Sequence, residues 1–181
     1  MPADMKQIIA RTFMEMVKEN GMDKVTVKAL VEACRISRQT FYYHFQDIME
    51  VVEWSMNQAI RRMLERTLTM ETPREAIGVF VEAVLEHYGM IRKMLNSQHR
   101  EQLENMFVQA LRAYLGKLIE TKRPLLELNY SDMELLLDFW ACGLTGVLFR
   151  MSSQKYPDAK RLADQLCRIL TWRIPDLPGL D

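Results

Sequence analysis

Between Ser37 and Phe45 the chain reads Ser-Arg-Gln-Thr-Phe-Tyr-Tyr-His-Phe, and most of these side chains carry hydrogen-bonding groups of one kind. Arg38 can bond a guanine edge or a phosphate, Gln39 can read adenine, and the Thr40 methyl can touch thymine. The hydroxyls of Tyr42 and Tyr43 and a protonated His44 suit phosphate oxygens. Phe41 and Phe45 recur at a spacing of four and, with Ile36, supply the apolar anchor of a helix whose other face stays polar. Just upstream, Thr26, Val27 and Lys28 open another short helix, where backbone amides and a lysine can meet a phosphate. Phosphate contacts set register and base contacts set sequence preference. These residue types at this spacing point to double-stranded DNA, with one helix in the major groove and the other steadying it on the backbone.

Several of these residues also have a purely structural reading. Phe41 and Phe45 are core positions by their spacing. His44 could serve a structural hydrogen bond instead of a phosphate. Thr26 is an N-cap as well as a phosphate contact, and the two roles are compatible.

The elements that must hold this surface are helical. Asp4 to Asn20 forms a first stripe through Ile9, Phe13, Met16 and Val17, and Asn20-Gly21 stops it. Thr26 caps the second helix, Cys34-Arg35-Ile36 makes a tight turn, and Ser37 caps the third. Asp47 and Glu50 give an acidic start to a fourth helix that runs to about Thr69. Thr72-Pro73-Arg74-Glu75 is a capping box with proline in the first turn, opening a helix through Phe80, Val84 and Tyr88 towards Leu95. Another runs from near Ser97 to Thr121, and Pro124 interrupts the pattern. Ser131 with Glu134 reads as a second capping box, opening a helix to about Met151. Pro157 opens the last helix, and Pro175 and Pro178 end it. The expectation is an all-α chain of about nine helices: a three-helix, helix-turn-helix domain over residues 1–46 and a C-terminal regulatory and dimerisation domain over residues 47–181.

Composition agrees. The 181 residues are 49% hydrophobic and 27% charged, enough for one sizeable core or a small and a larger one in contact. Seven glycines and six prolines are few, which favours helix over strand. The 14 methionines fill irregular packing and, in a pocket, adapt to varied ligands. A formal net charge of zero argues mildly against a nucleic-acid partner, but distribution outweighs the sum. Residues 24–46 hold Lys24, Lys28, Arg35 and Arg38 against Glu32 alone. Cys34, Cys142 and Cys167 are too scattered for a disulfide framework or a zinc site. With no signal peptide visible, a reducing cytoplasm is expected. The most apolar window, Phe139 to Phe149, is about half the roughly 20 residues that span a bilayer, so no membrane partner is expected.

The ordered set Asn20-Gly21, Val25-Thr26-Val27, Ile36-Ser37-Arg38 and Thr40-Phe41-Tyr42-Tyr43-His44-Phe45 resembles the TetR family of transcriptional regulators. The resemblance covers about the first 50 residues. It implies an all-helical fold, a homodimer, operator DNA as partner and a small-molecule site in the C-terminal domain whose occupation releases the DNA. It also implies DNA contacts at Val27, Lys28, Arg38, Gln39, Thr40, Tyr42, Tyr43 and His44. Arg35 stands where many members have glycine, and Gln46-Asp47-Ile48 stands where many have a lysine; the expectation is either a lower DNA affinity or compensation by Arg35. The Phe45-Gln46-Asp47-Ile48 junction looks like the branch near regulators of dihydroxyacetone kinase genes.

In the C-terminal half, the helix after Ser131 is apolar on most sides and must be buried all round. Gly143 and Gly146 permit close approach of a partner helix. A four-helix interface across a two-fold axis, using Leu136, Trp140, Gly143, Val147, Leu162, Leu166 and Leu170, is the simplest solution, with an intrachain core as the rival. Trp54, Met63, Phe80, Tyr88, Met94, Phe107 and Trp140 are the candidate walls of a pocket for an unidentified small-molecule effector, although such a stripe is more often core. His87 beside Glu86 and His99 near Glu101 match no metal or catalytic spacing and read as solvated faces. No cofactor is implied.

Three functions compete. The first is a regulator, here a repressor, gated by a small molecule. The second is a ligand-independent regulator or co-activator acting through protein contact, which would show no saturable pocket. The third is a helical-bundle enzyme, for which no nucleophile, base and orienting group can be placed together.

Overall fold

The computed structural model describes residues 4–122, 129–151 and 159–171. Within these, nine α-helices and one 3₁₀ turn appear: α1 (Met5–Asn20), the turn Met22–Lys24, α2 (Val27–Cys34), α3 (Arg38–His44), α4 (Ile48–Leu68), α5 (Pro73–Glu86), α6 (Tyr88–Leu95), α7 (Arg100–Lys122), α8 (Tyr130–Met151) and α9 (Ala159–Thr171). The all-α architecture expected from the sequence is what forms. Pro124, Pro157, Pro175 and Pro178 fall outside the described residues, as does the side chain of Leu170.

Local chemistry sets most helix starts. Asp4, Thr26, Ser37, Asp47 and Thr72 each turn a side-chain oxygen onto a backbone N–H of the first turn. Each such cap stabilises its helix by about 1 kcal/mol. At α5 the box is reciprocal: Thr72 Oγ1 accepts from Glu75 N at 3.2 Å, and Glu75 Oε2 accepts from Thr72 N at 3.0 Å. The bond that Glu75 Oε2 accepts from Thr72 N, with another from Glu71 N, holds the Glu75 carboxyl below its ordinary pKa. Gly21 takes a φ of 85°, where a side chain would be strained, and ends α1.

Two starts differ from expectation. The stretch from Thr72 to Leu95 is broken at His87, with Gly89 just after, so it makes α5 and α6 instead of one helix. The His87 carbonyl accepts from Met90 N and Ile91 N, which restarts the helix at once. At α8 the cap is Asn129, not Ser131. Asn129 Oδ1 accepts from Asp132 N at 2.9 Å and its amide donates to Asp132 Oδ2 at 2.7 Å. Glu134 is thereby free to pair with Arg112 on α7, which also bonds Asp138 at 2.7 Å.

Two apolar clusters fill the interior. The first holds Ile9, Phe13, Val17, Leu30, Phe41, Phe45 and Val51, each 1% exposed or less, and is completed by Met94 of α6 and Leu103 of α7. Burying such side chains is worth about 1.5–3 kcal/mol each. The second joins Met63 of α4, Val79, Phe80 and Val81 of α5, Leu111 and Tyr114 of α7, Ala141 and Leu144 of α8, and Leu162 and Leu166 of α9. Inside it, the Thr67 hydroxyl donates to the Met63 carbonyl at 2.8 Å and meets the Tyr114 hydroxyl at 2.9 Å. Burial pushes the Tyr114 pKa up, opposed by the Thr67 bond.

The first cluster crosses the expected boundary after residue 46. Lys93 Nζ of α6 donates to the carbonyls of Lys18 and Glu19 at the end of α1, the latter at 3.1 Å. Gln98 N donates to Asp23 Oδ1 at 3.1 Å. The helix-turn-helix is thus packed onto the C-terminal helices by α6.

Candidate nucleic-acid interface and effector cavity

α3 has only seven residues, too few to be helical without tertiary support. Its support is the fully buried Phe41, with Phe45 just beyond its end, their rings 6.1 Å apart. Lys6 of α1 lies 5.1 Å over the Phe45 ring, a cation–π contact. Ser37 Oγ accepts from Thr40 N at 3.0 Å and lies 2.9 Å from Thr40 Oγ1. At the start of α2 the cap is Thr26 Oγ1, accepting from Ala29 N at 3.1 Å.

With the two phenylalanines turned in, the rest of α3 faces out. Arg38, Gln39, Tyr42 and Tyr43 are exposed, Tyr43 to 84%, while Thr40 and His44 are half-buried. The Tyr42 ring is fixed edge-on to Phe41 at 5.4 Å, and Tyr43 stands edge-on to His44 at 5.0 Å. Lys28 and Thr26 are exposed and Val27 half-buried at the start of α2. Thr26, Val27 and Lys28 thus stand at the start of α2, and the α3 residues on the helix that follows it and packs against it. The turn between α2 and α3 is made by Arg35 in the left-handed conformation, φ 53° and ψ 43°. Its amide bonds Glu32 O at 3.1 Å, and Ile36 N bonds Val31 O at 3.0 Å. An exposed guanidinium so lies between the two helices at the position where glycine would be unstrained.

The pocket candidates separate into two adjoining cavities. The larger, about 630 Å³, lies between α1, α4, α6 and α7 and is lined by Trp54, Met94 and Phe107 among others. The smaller, about 240 Å³, reaches α5 and α8 and is lined by Met63, Phe80, Tyr88 and again Phe107. Trp140 lines neither. Its ring lies edge-on to Phe139 at 5.5 Å. His87, read from sequence as a solvated face, instead stands at the α5–α6 break and lines both cavities. The break is what turns it inward, and only Gly89 hinted at one. Trp54 links the larger cavity to the end of α3, because its ring lies edge-on to Phe45 at 6.2 Å.

The dimer candidates divide as well. Gly143 and Val147 are exposed, Leu136 and Trp140 half-buried. Leu162 and Leu166, in contrast, are buried in the chain's own second cluster, where α9 packs along α5 and Arg74 bonds Asp164 at 2.6 Å. They are not free to meet a partner. Sequence reasoning missed the residues that are: Leu135 at 71% exposed, Phe139 at 66% and Ile169 at 59%. Leu135, Phe139, Gly143, Gly146 and Val147 share one side of α8, and a Cβ on either glycine would meet nothing within 4 Å. An all-round apolar helix gives no periodicity from which its outer side could be chosen.

Among the described residues no helix is long and apolar enough to cross a membrane, and no group of three His, Cys, Asp or Glu side chains is placed to hold a metal.

Comparison with known proteins adds the following. Residues 9–53 match the family described as bacterial regulatory proteins, tetR family, and residues 71–171 match a transcriptional regulator C-terminal region. The chain is 33% identical, over 129 residues, to the HTH-type dhaKLM operon transcriptional activator DhaS of Lactococcus lactis subsp. lactis, covering 71% of this chain and 68% of that one. Among solved structures, Lin0861 from Listeria innocua superposes with a TM-score of 0.71 at 16% identity, over 94% of this chain and 93% of that one. Thermus thermophilus FadR, a TetR-family transcriptional repressor in complex with lauroyl-CoA, gives 0.64 at 18% identity, over 96% and 100%. At these identities the two structures speak for the fold alone.

Proposed function

Since the chain belongs to the TetR family of transcriptional regulators, we propose that it binds operator DNA as a homodimer and that a small molecule in the cavity beside Trp54 gates the binding. The observation that carries the DNA reading is the outer side of α3. Arg38, Gln39, Tyr42 and Tyr43 are exposed there on a helix that Phe41 and Phe45 fix from behind. Arg38 and Gln39 read base edges; Tyr42, Tyr43, His44, Lys28 and the start of α2 hold phosphates. Arg35 adds a cation where α4 begins with Asp47 and offers none.

The second copy covers the exposed side of α8. Leu135, Phe139 and Val147, with Ile169 of α9, are the apolar groups such an interface would bury, and Gly143 and Gly146 let two helices approach closely. Two-fold pairing sets the two copies of α3 against successive major grooves, about 34 Å apart. Gating follows from the contact between cavity and reading head. A ligand that fits one position of α4 and α6 better than another biases α1 through Lys93, and Phe45 through Trp54. In this reading the protein is a cytoplasmic repressor, and ligand binding frees the operator.

A second reading has one specific support: the relative at 33% identity is a transcriptional activator. Here the protein acts through contact with another protein and needs no ligand. Selection of bound duplexes from random DNA, with and without candidate metabolites, tests both. A salt-sensitive sequence preference that a metabolite abolishes supports the first reading. A preference that no metabolite changes supports the second, and no preference at all overturns the DNA assignment.

A further inference from the structure

The cavity beside Trp54 is not evenly coated. Most of its wall is apolar, supplied by Met14, Met56, Met90, Ile91 and Phe107. Its polar wall consists of Gln7, Arg11, Ser55, Gln58, Arg62 and His87, with no carboxylate. Arg11 on α1 and Arg62 on α4 are both exposed, and neither has an ion-pair or hydrogen-bond partner among the described residues. The neighbouring Arg66, in contrast, is paired with Glu82 at 3.3 Å. Two unpaired guanidiniums on the wall of one apolar cleft form a field of single sign, which concentrates anions. A volume of about 630 Å³ is in the range of small-molecule sites, roughly 300–1,000 Å³.

We propose that this cavity takes a small amphipathic anion, its hydrocarbon body against the methionines and Phe107 and its charged head between Arg11 and Arg62. The inference deepens the effector reading above and rests on it. It also gives the site a wall on each side of the helix-turn-helix boundary: Arg11 belongs to α1, which braces α2 and α3, whereas Arg62 belongs to α4. An anion bridging the two guanidiniums ties the reading head directly to the C-terminal helices. A state that brings Arg11 and Arg62 closer binds the anion more tightly and is therefore favoured by it.

Calorimetric titration of the full chain with dodecanoate, dodecyl phosphate, dodecanol and dodecylammonium, each below its micelle-forming concentration, tests this. Expected is saturable binding of one or both anions at least tenfold tighter than the alcohol, with the ammonium weakest. The relative strength of the two anions tells a carboxylate head from a phosphate head. Arg11→Gln and Arg62→Gln each weaken the anions at least fivefold and leave dodecanol unchanged, with unaltered melting of the unliganded protein. Arg62→Lys, which keeps the charge, recovers part of the loss. Equal affinity for alcohol and anion, anion binding indifferent to both glutamine variants, or no anion binding overturns the proposal. A DNA-binding assay separates it from gating. Arginine-dependent anion binding with unchanged DNA affinity supports this site and refutes gating. Release of DNA by a neutral compound, with no anion binding, does the reverse.

Discussion

Replacing Arg38 by alanine isolates the chemistry of the reading face from the stability of its scaffold. Arg38 is the first residue of α3, it is exposed, and the cap on this helix comes from Ser37, not from it. Alanine is a good helix former, so the substitution should change folding stability by no more than about 0.5 kcal/mol. A dimer loses two guanidiniums at once. If each makes a base-edge contact worth about 1.5 kcal/mol, the loss is about 3 kcal/mol, or a little over a hundredfold in Kd. That loss should be largest on the selected site and small on unrelated duplex. Lys28→Gln is the contrast. In the proposed complex Lys28 meets the phosphate backbone from the start of α2, so two lost phosphate contacts should lower the slope of log K against log salt by about 1.8 and weaken all sequences alike. Fluorescence anisotropy at several salt concentrations, on selected and random duplexes, measures both. Arg38→Ala that folds normally and binds the selected site as tightly as the parent would refute the assignment of α3 to the groove.

Three further outcomes can be checked. Thr67→Val leaves the Tyr114 hydroxyl buried with its partner gone and should lower stability by about 1–3 kcal/mol in urea unfolding, whereas Tyr114→Phe, which leaves Thr67 bonded to the Met63 carbonyl, should cost nearer 1 kcal/mol; equal costs would contradict the bonding pattern. Arg35→Gly relieves a left-handed side-chain-bearing residue and should raise stability by up to about 1 kcal/mol while reducing both DNA affinity and its salt slope; a drop in stability would count against the strain argument. Phe139→Asp should give a folded monomer by sedimentation at micromolar concentration, while Leu166→Ala should cost the chain itself about 2–5 kcal/mol; a dimeric Phe139→Asp protein would remove α8 as the interface.

The parts legible in the sequence are those decided within one or two helical turns. Thr26, Ser37 and the Thr72–Glu75 box announce their helices because the capping atoms are a few residues apart. The Phe41–Phe45 spacing likewise separates the inner from the outer side of α3. The parts that were not legible are decided by contacts far along the chain. Ser131 with Glu134 reads as a local box for α8, but the fold pairs Glu134 with Arg112, from α7, and the cap lies two residues earlier at Asn129. Helical spacing runs unbroken through His87, so the turn that carries it into the cavity has no periodic signal. Leu162 and Leu166 lie on a strongly amphipathic helix, but periodicity says only that its apolar side is covered. That α5 of the same chain does the covering is a fact of packing.

The bonds from Lys93 to the last carbonyls of α1, and the place of Met94 and Leu103 beneath Phe13 and Phe41's cluster, bear on how such proteins can be recombined. A chimaera that grafts residues 1–46 onto a foreign regulator would leave that cluster without its floor and α1 without its terminal cation. Transplanting the specificity of this protein therefore calls for the segment through Leu103 to travel with it, or for swapping only the outward residues of α3 in place.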